Sequence, residues 1–514
     1  MSLQKIDTIL ENKGLELPYS FQKHLINDLI NLGNIEEEDL ESFIITLSNL
    51  FIEIANGSTC LILEKDPKLI SFTLKYPDII NYEKAPLILR EIGHKLLLYR
   101  ERDYIDEIKL EEALKERLEN NEISNNIFIE NTNENIKKAL SYNTILITGG
   151  PGSGKTSLAT DIYKAFSTHI KNDNRKPEIK IAAPTGKAAK VLADRIDDEN
   201  GVTIHKLLEY SPLYDKFKYH KDFKLKADLI IIDEASMIDL RLFKNLLEGI
   251  EKNTRLIIIG DKDQLPSVDN GAVFTELVES NLFPVIKLTS QYRSNENILT
   301  LAKKINSGDT NIFNSVNEIE INDLKEQLEK NENNVYFIEL RGKTDLLKII
   351  NIVANHYKES IQNTKILGFT NKGFLGIENI NKIIIENYKD IMKEVPIMIT
   401  ENDYENNVFN GDIGILENNY SVKFSDGLKI SLNLLKNWRY AFAITVHKSQ
   451  GSGYDDVFLI LADKKENPLL TRELLYTGVT RAKNRVFIIG KKDVFLEGII
   501  RKSNRYSGMV IRLK

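Results

Sequence analysis

A chain of 514 residues is long enough for roughly three domains, each burying its own core. Its 42% hydrophobic and 28% charged residues suit a globular protein, and its apolar runs are too short to span a bilayer. One cysteine, Cys60, excludes an internal disulfide and a multi-cysteine zinc site. The opening residues lack the basic cap and apolar run of a secretory signal, so the expected location is the cytoplasm. A net charge of -6 argues against coating nucleic acid through charge, but leaves room for a local groove that grips one strand.

In chain order, residues up to about 119 alternate helical patterns with two short strand candidates, 59–63 and 95–99. Residues 120–135 are polar and Asn-rich, which reads as a linker. From 143 short β-rich runs alternate with helical patterns: NTILIT, SLATDIYKAF, IKIAAP, KAAKVLADRI, DLIIID, LRLFKNLLEGI and RLIIIG. That alternation predicts βαβ units and a parallel sheet with helices on both faces, an α/β fold over 136–325. A polar stretch, 311–334, leads toward a second lobe at 326–514, where KILGFT, PIMIT, AFAITV, VFLILA and RVFIIG read as strands. Turns NGDIG and SDG predict a small β-rich insertion at about 401–438.

Gly149-Gly150-Pro151-Gly152-Ser153-Gly154-Lys155-Thr156-Ser157 follows a strand and opens a helix, the setting a phosphate-cradling loop requires. The glycines let backbone N–H groups turn inward, and the helix N-terminus adds a favourable dipole. Lys155 is expected at the β/γ-phosphates and the Thr156 hydroxyl on Mg²⁺. The run 229–232 ends in Asp233-Glu234, carboxylates at a strand's C-terminal end, where α/β sheets place ligands. Asp233 is the expected Mg²⁺ partner, and Glu234 is placed to activate the attacking water. The loop alone says only that a nucleotide binds, and the acid pair adds Mg²⁺.

Further segments fall in a fixed order: Ala183-Pro184-Thr185-Gly186-Lys187, Thr203-Ile204-His205-Lys206, Gly260-Asp261-Lys262-Asp263-Gln264-Leu265-Pro266, Gln291-Tyr292-Arg293, Thr445-Val446-His447-Lys448-Ser449-Gln450-Gly451 and Tyr476-Thr477-Gly478-Val479-Thr480-Arg481. Together they resemble a superfamily 1 helicase of the RecD kind, the alpha subunit of RecBCD-type exonuclease V complexes. The likeness runs from about residue 136 to the C-terminus. It extends to Gly373–Asn381, Phe409–Gly414, Leu470–Leu474 and Arg505-Tyr506-Ser507-Gly508-Met509.

The resemblance implies two RecA-like P-loop NTPase domains, a small N-terminal α+β domain (1–119) that docks on a partner, and the β-rich insertion. It implies ATP-driven 5′ to 3′ translocation on single-stranded DNA at duplex ends, in a heterotrimer with RecB-like and RecC-like subunits. Gln264 is then the γ-phosphate sensor, while Arg293 and Arg481 reach that phosphate when the lobes close. Thr185, Lys187, Thr203, His205, Thr445, His447 and Lys448 become the DNA-contacting candidates, with a structural role for either histidine equally open. Cutting falls to a partner, since the chain shows no nuclease-like cluster of Asp, Glu and Lys outside these motifs.

Two departures stand out. The expected adenine-reading Gln upstream of the P-loop is missing, leaving Asn133 and Asn135, and Gly453 stands where relatives carry a ribose-holding Glu. A weaker ribose contact is expected. Two alternatives stay open, a stand-alone helicase of the same kind and a catalytically silent structural subunit. Removing the residues before about 120 is expected to abolish assembly and leave a folded motor.

Overall fold

The computed structural model describes residues 3–119, 121–123, 133–172, 176–196, 201–289, 295–330, 332, 334–360, 363–388, 394–403, 405–406, 408–417, 420–424 and 427–513. The N-terminal region is α+β. Cys60–Glu64, Lys95–Arg100, Leu87–Ile92 and Ile80–Asn81 lie side by side in that order, the first three antiparallel. Side chains alternate across the pleat: Leu96 and Leu98 join Ile26, Phe43 and Phe72 beneath the helices, while Leu97 and Tyr99 pack with Cys60 and Ile88 on the opposite face.

Lobe 1 is a six-stranded sheet ordered Val285–Leu288, Thr144–Gly149, Arg255–Gly260, Leu229–Ile232, Ile179–Ala183 and Gly201–Thr203, parallel throughout. Continuous apolar runs serve here because both faces are covered. Ile230 and Ile232 enter one core with Leu256 and Ile258; Leu229 and Ile231 enter the other with Ile145 and Ile147.

Lobe 2 repeats the plan with Asn317–Glu318, Val335–Glu339, Ala482–Gly490, Tyr454–Ile460, Thr364–Gly368 and Ala443–Thr445, again parallel. Tyr336, Phe487 and Phe458 stack in a ladder across it, with ring centroids 4.9 and 4.8 Å apart.

Three expectations need correction. First, the helix Glu101–Leu118 belongs to lobe 1 as much as to the N-terminal domain. Leu110 and Leu114 sit in the lobe 1 core, and Arg117 donates to Thr254 O, Glu251 O and Thr144 Oγ1. Second, the helix Glu296–Ser307 sends Ile298, Leu301 and Ile305 into the lobe 2 core, so that lobe starts before residue 326. Third, Val395–Ile399, read from PIMIT as a second-lobe strand lying before the insertion at about 401–438, belongs to the insertion itself. Its five antiparallel strands run Lys429–Ser431, Ser421–Phe424, Ile413–Glu417, Val395–Ile399 and Trp438–Tyr440. Val395–Ile399 is buried at every position, so its composition matched a parallel strand. Of the expected linker, 120 and 124–132 lie outside the described residues; Asn121 bonds the Thr144 backbone, and Asn133 caps the helix Glu134–Leu140.

Candidate nucleotide site at the junction of the lobes

Parallel pairing puts the C-terminal ends of the lobe 1 strands along one edge. Gly260 pairs with Thr148, and Ile232 pairs with Ile258 and Ala182, so the loops that follow them are neighbours. Gly149 closes the strand Thr144–Gly149, and the helix Lys155–Asn172 starts at the P-loop lysine. Gly152 and Gly154 have φ of +71° and +90°, a backbone that turns successive N–H groups inward. A Cβ on Gly149 would stand 2.5 Å from Ser153 Oγ and 2.8 Å from Leu288 O, so the turn tolerates only glycine there. Lys155 Nζ donates to the carbonyls of Gly149 and Gly150.

Glu234 holds a left-handed backbone with φ of +52°, and its N–H donates to Asp233 Oδ1 at 2.8 Å. Such a conformation costs a non-glycine residue about 1–3 kcal/mol and is typical of functional turns. Burial, then the adjacent Glu234 carboxylate, drives the Asp233 carboxyl well above the usual range, while Lys155 opposes the shift. A desolvated acid of this kind gains from a cation.

Asp261, 1% exposed, accepts from Gln264 Nε2 at 3.2 Å and from the Asp263 N–H at 3.1 Å. Ser153 Oγ and Gln264 Oε1 are buried without a hydrogen-bond partner. The cradle, the two orphaned oxygens and the desolvated acid fit a Mg-nucleotide.

Lobe 2 meets this edge directly. Thr471 caps the helix Arg472–Val479, which carries Tyr476 and Thr477 to the junction. Arg481 follows it, 5% exposed, with Nε on Thr477 O at 3.1 Å and Nη1 on Ser452 O at 3.2 Å. Lys187 of lobe 1 donates to Ser452 Oγ at 2.6 Å, and Gln450 Nε2 donates to Leu265 O at 2.9 Å. Lys155 and Arg481 therefore stand on facing lobes of one junction. Arg293 lies outside the described residues.

The DNA-contact candidates form two groups. Thr185 and Thr203 are neighbours at adjacent strand ends, and Thr445, His447 and Lys448 follow one another in lobe 2. Each threonine hydroxyl accepts a backbone N–H three residues on, Ala188, Lys206 and Lys448 respectively, which leaves its proton to donate outward. Burial pushes His447 down to about 4, helped by Arg505 and Lys448, and burial also lowers His205, which packs on Tyr210 and Phe217. Both imidazoles are neutral at ordinary pH. Lys448 Nζ bonds Asn410 Oδ1 of the insertion at 2.7 Å. The Asn133 amide oxygen accepts the Asn135 N–H, so it is engaged in capping. Gly453 has ordinary contacts around its Cβ position, the nearest 3.5 Å away, so a side chain would fit there.

Residue-type reasoning passed over Asp261, Tyr476, Thr477, Gln450 and Ser452, although all lie within or beside the motif segments. Their signal was position beside Gln264 and Arg481.

A family model described as an AAA domain matches residues 132–270, and one described as a UvrD-like helicase C-terminal domain matches 440–489. The RecBCD enzyme subunit RecD of Buchnera aphidicola subsp. Schizaphis graminum is 30% identical, across 88% of this chain and 90% of that one. The ATP-dependent RecD2 DNA helicase of Deinococcus radiodurans is 28% identical, across 69% of this chain and 48% of that one. A solved Pif1 helicase from Bacteroides, in complex with ADP-AlF3 and single-stranded DNA, is 19% identical over 74% of this chain and 96% of that one, with a TM-score of 0.42.

Proposed function

The chain belongs to the RecD family, ATP-dependent DNA helicases of the RecBCD type, and from that premise we propose that it walks 5′ to 3′ on single-stranded DNA as the alpha subunit of such a complex. The observation that carries this reading is the bonded junction: the loop after Gly260 lies beside the P-loop and is held by lobe 2 side chains. Lys155 binds the β/γ-phosphates, and Thr156 and Asp233 would hold Mg²⁺, which would supply neutralisation of phosphate charge. Glu234 accepts the proton of the attacking water, and Gln264 positions its amide toward the γ-phosphate. Arg481, with Arg293, stabilises charge on the transferring group, a role worth about 10³–10⁵ in rate where an arginine finger is supplied to a related site. Supplying Arg481 from the second lobe makes hydrolysis depend on closure, and each closure advances the strand held by Thr185, Lys187, Thr203, His205, Thr445, His447 and Lys448.

The match to the RecBCD subunit takes in 88% of this chain, against 69% for the RecD2 helicase, which favours the subunit over a stand-alone motor. A docking face is available for a RecC-like partner. Phe21, Leu25 and Leu32 are 61%, 39% and 66% exposed and share one side of the helix Phe21–Gly33, with Tyr19 stacked on Phe21. A RecB-like subunit completes the assembly, whose work on the chromosome belongs in the cytoplasm.

ATP hydrolysis with and without single-stranded DNA, in wild type and Lys155→Gln, is the direct test. Strong stimulation by DNA in wild type and loss of turnover in the variant are expected, a drop of at least about 10²-fold. Hydrolysis indifferent to DNA would end the motor reading, and co-purification without RecB-like and RecC-like chains would end the subunit reading.

A further inference from the structure

Lobe 2 grips the loop after the strand Arg255–Gly260 at both of its ends. At the near end the Tyr476 hydroxyl donates to Asp261 Oδ2 at 3.0 Å; at the far end the Leu265 N–H donates to Thr477 Oγ1 at 2.8 Å. Gln264 lies between these anchors. The same phenol oxygen stands 3.2 Å from the position a Cβ on Gly150 would take, so it sits against the P-loop itself. Burial and the neighbouring Asp261 and Asp263 hold the phenol protonated, and thus a donor.

We infer that Tyr476 is a positioning residue for hydrolysis, the gauge through which lobe 2 sets the Asp261–Leu265 loop, and with it Gln264, in register with Lys155 and Arg481. This rests on the motor reading above. The argument is geometric. Tyr476 and Thr477 are successive residues of one helix and point about 100° apart around its axis. They reach Asp261 and Leu265 together only when the helix has one rotation and one height relative to lobe 1. Thr477 also offers its carbonyl to Arg481 Nε, so the rotation that seats the loop seats the arginine. Asp261 carries the message inward, since its Oδ2 accepts both the Tyr476 hydroxyl and the Gln264 amide. A phenol bonded to a buried carboxylate is among the stronger neutral donors, which suits a contact that must form each time the lobes close.

The ring of Tyr476 is also packed in the lobe 2 core with Leu265 and Val479, so a purely structural role is the competing account. Tyr476→Phe keeps the ring and removes the hydroxyl. In the full-length chain, DNA-stimulated kcat is expected to fall about ten-fold, with the KM for ATP within about two-fold of wild type and the melting temperature nearly unchanged. Thr477→Val, which removes the other anchor, should give the same kcat-specific loss. In the double variant Tyr476→Phe/Asp261→Asn, kcat should be no lower than in the worse single variant, because the two act through one bond. Wild-type kcat in Tyr476→Phe would overturn the inference, as would a rise in KM with kcat intact, or a lowered melting temperature with normal turnover. A wild-type enzyme indifferent to DNA would instead overturn the motor reading on which it rests.

Discussion

Residue identity alone exposed the parts of the site where chemistry leaves little choice. A backbone that must wrap phosphate needs glycine at Gly149, Gly152 and Gly154, and a metal needs a hydroxyl and a carboxylate, so those positions stood out before any geometry was known. Tyr476 did not, because a tyrosine among Leu474, Leu475 and Val479 reads as core, which it also is. Glu276 shows the same limit. On the sequence it is one acid in an amphipathic helix, yet its carboxylate accepts from Ser507 Oγ at the place where the C-terminal tail crosses lobe 1. Burial, followed by Glu107 and Glu279, pushes its carboxyl up to about 7. A folded-state value above the unfolded one of 4.5 means that the native state holds this proton more tightly. The stability it confers is full below the unfolded value and is lost as pH rises through about 7. Glu276→Gln keeps an acceptor and removes the charge, so it should melt like wild type at about pH 5 and be more stable by about 1–3 kcal/mol at about pH 8. Melting curves at both values check this, and parallel pH profiles for the two proteins would refute it.

Among the elements, alternating β-rich runs and helical patterns revealed the parallel sheet of lobe 1, because the central strands of such a sheet are apolar on both faces, and the family resemblance supplied that of lobe 2, whose edge strand Asn317–Glu318 is polar and exposed. What that texture could not show is which sheet a buried strand joins, so it places the start of the insertion at about 401, after Val395–Ile399 rather than before it. Nor could it show where the helix Glu101–Leu118 packs. Its polar face reads as a domain end, but Leu110 and Leu114 are 0% and 1% exposed against lobe 1, and Lys244 pairs with Asp106 at 2.6 Å. A chain starting near 121 would lose both leucines, at about 2–5 kcal/mol each, and the Arg117 bonds to three lobe 1 groups. That sum rivals the net stability of a domain, about 5–15 kcal/mol. The expected folded motor without the N-terminal region therefore needs the cut placed before Glu101. A chain of 101–514 should retain DNA-stimulated ATPase and lose the RecC-like partner proposed above, whereas one of 121–514 should be insoluble or molten. A soluble, active 121–514 protein, judged by ATPase and near-UV circular dichroism, would contradict this account of the helix.

The whole molecule is closed by its own C-terminus, across a sequence distance that no local pattern bridges. Arg501 is held in lobe 2 by Asn467 O and Glu497, and a few residues later Arg505 donates to the carbonyls of Ser267, Asp269 and Gly271 in lobe 1. The Tyr506 N–H donates to Ser58 Oγ and its carbonyl accepts the Thr59 N–H of the N-terminal domain, Met509 enters the lobe 1 core, and Gly271 N–H reaches Gly57 O at 2.8 Å. Gly508 passes so close to Tyr99 that any Cβ would collide with its hydroxyl. The tail therefore pins the N-terminal domain to lobe 1. Its deepest anchor is ionic. Arg512 bonds Glu107, which is 0% exposed, and Glu111, each at 2.7 Å, and adds Tyr99 at 3.0 Å. Removing one partner of a buried pair strands the other charge, at a cost of about 3–5 kcal/mol, whereas removing both costs far less. Arg512→Ala should therefore lower the unfolding midpoint sharply and open the N-terminal domain to proteolysis. Arg512→Met combined with Glu107→Gln should recover most of the loss, because the one acid left, Glu111, keeps its ion pair with Lys115 at 2.7 Å. If Arg512→Ala melted with wild type, or the double variant fared no better than the single, the tail would not be the clasp that joins the N-terminal domain to the motor.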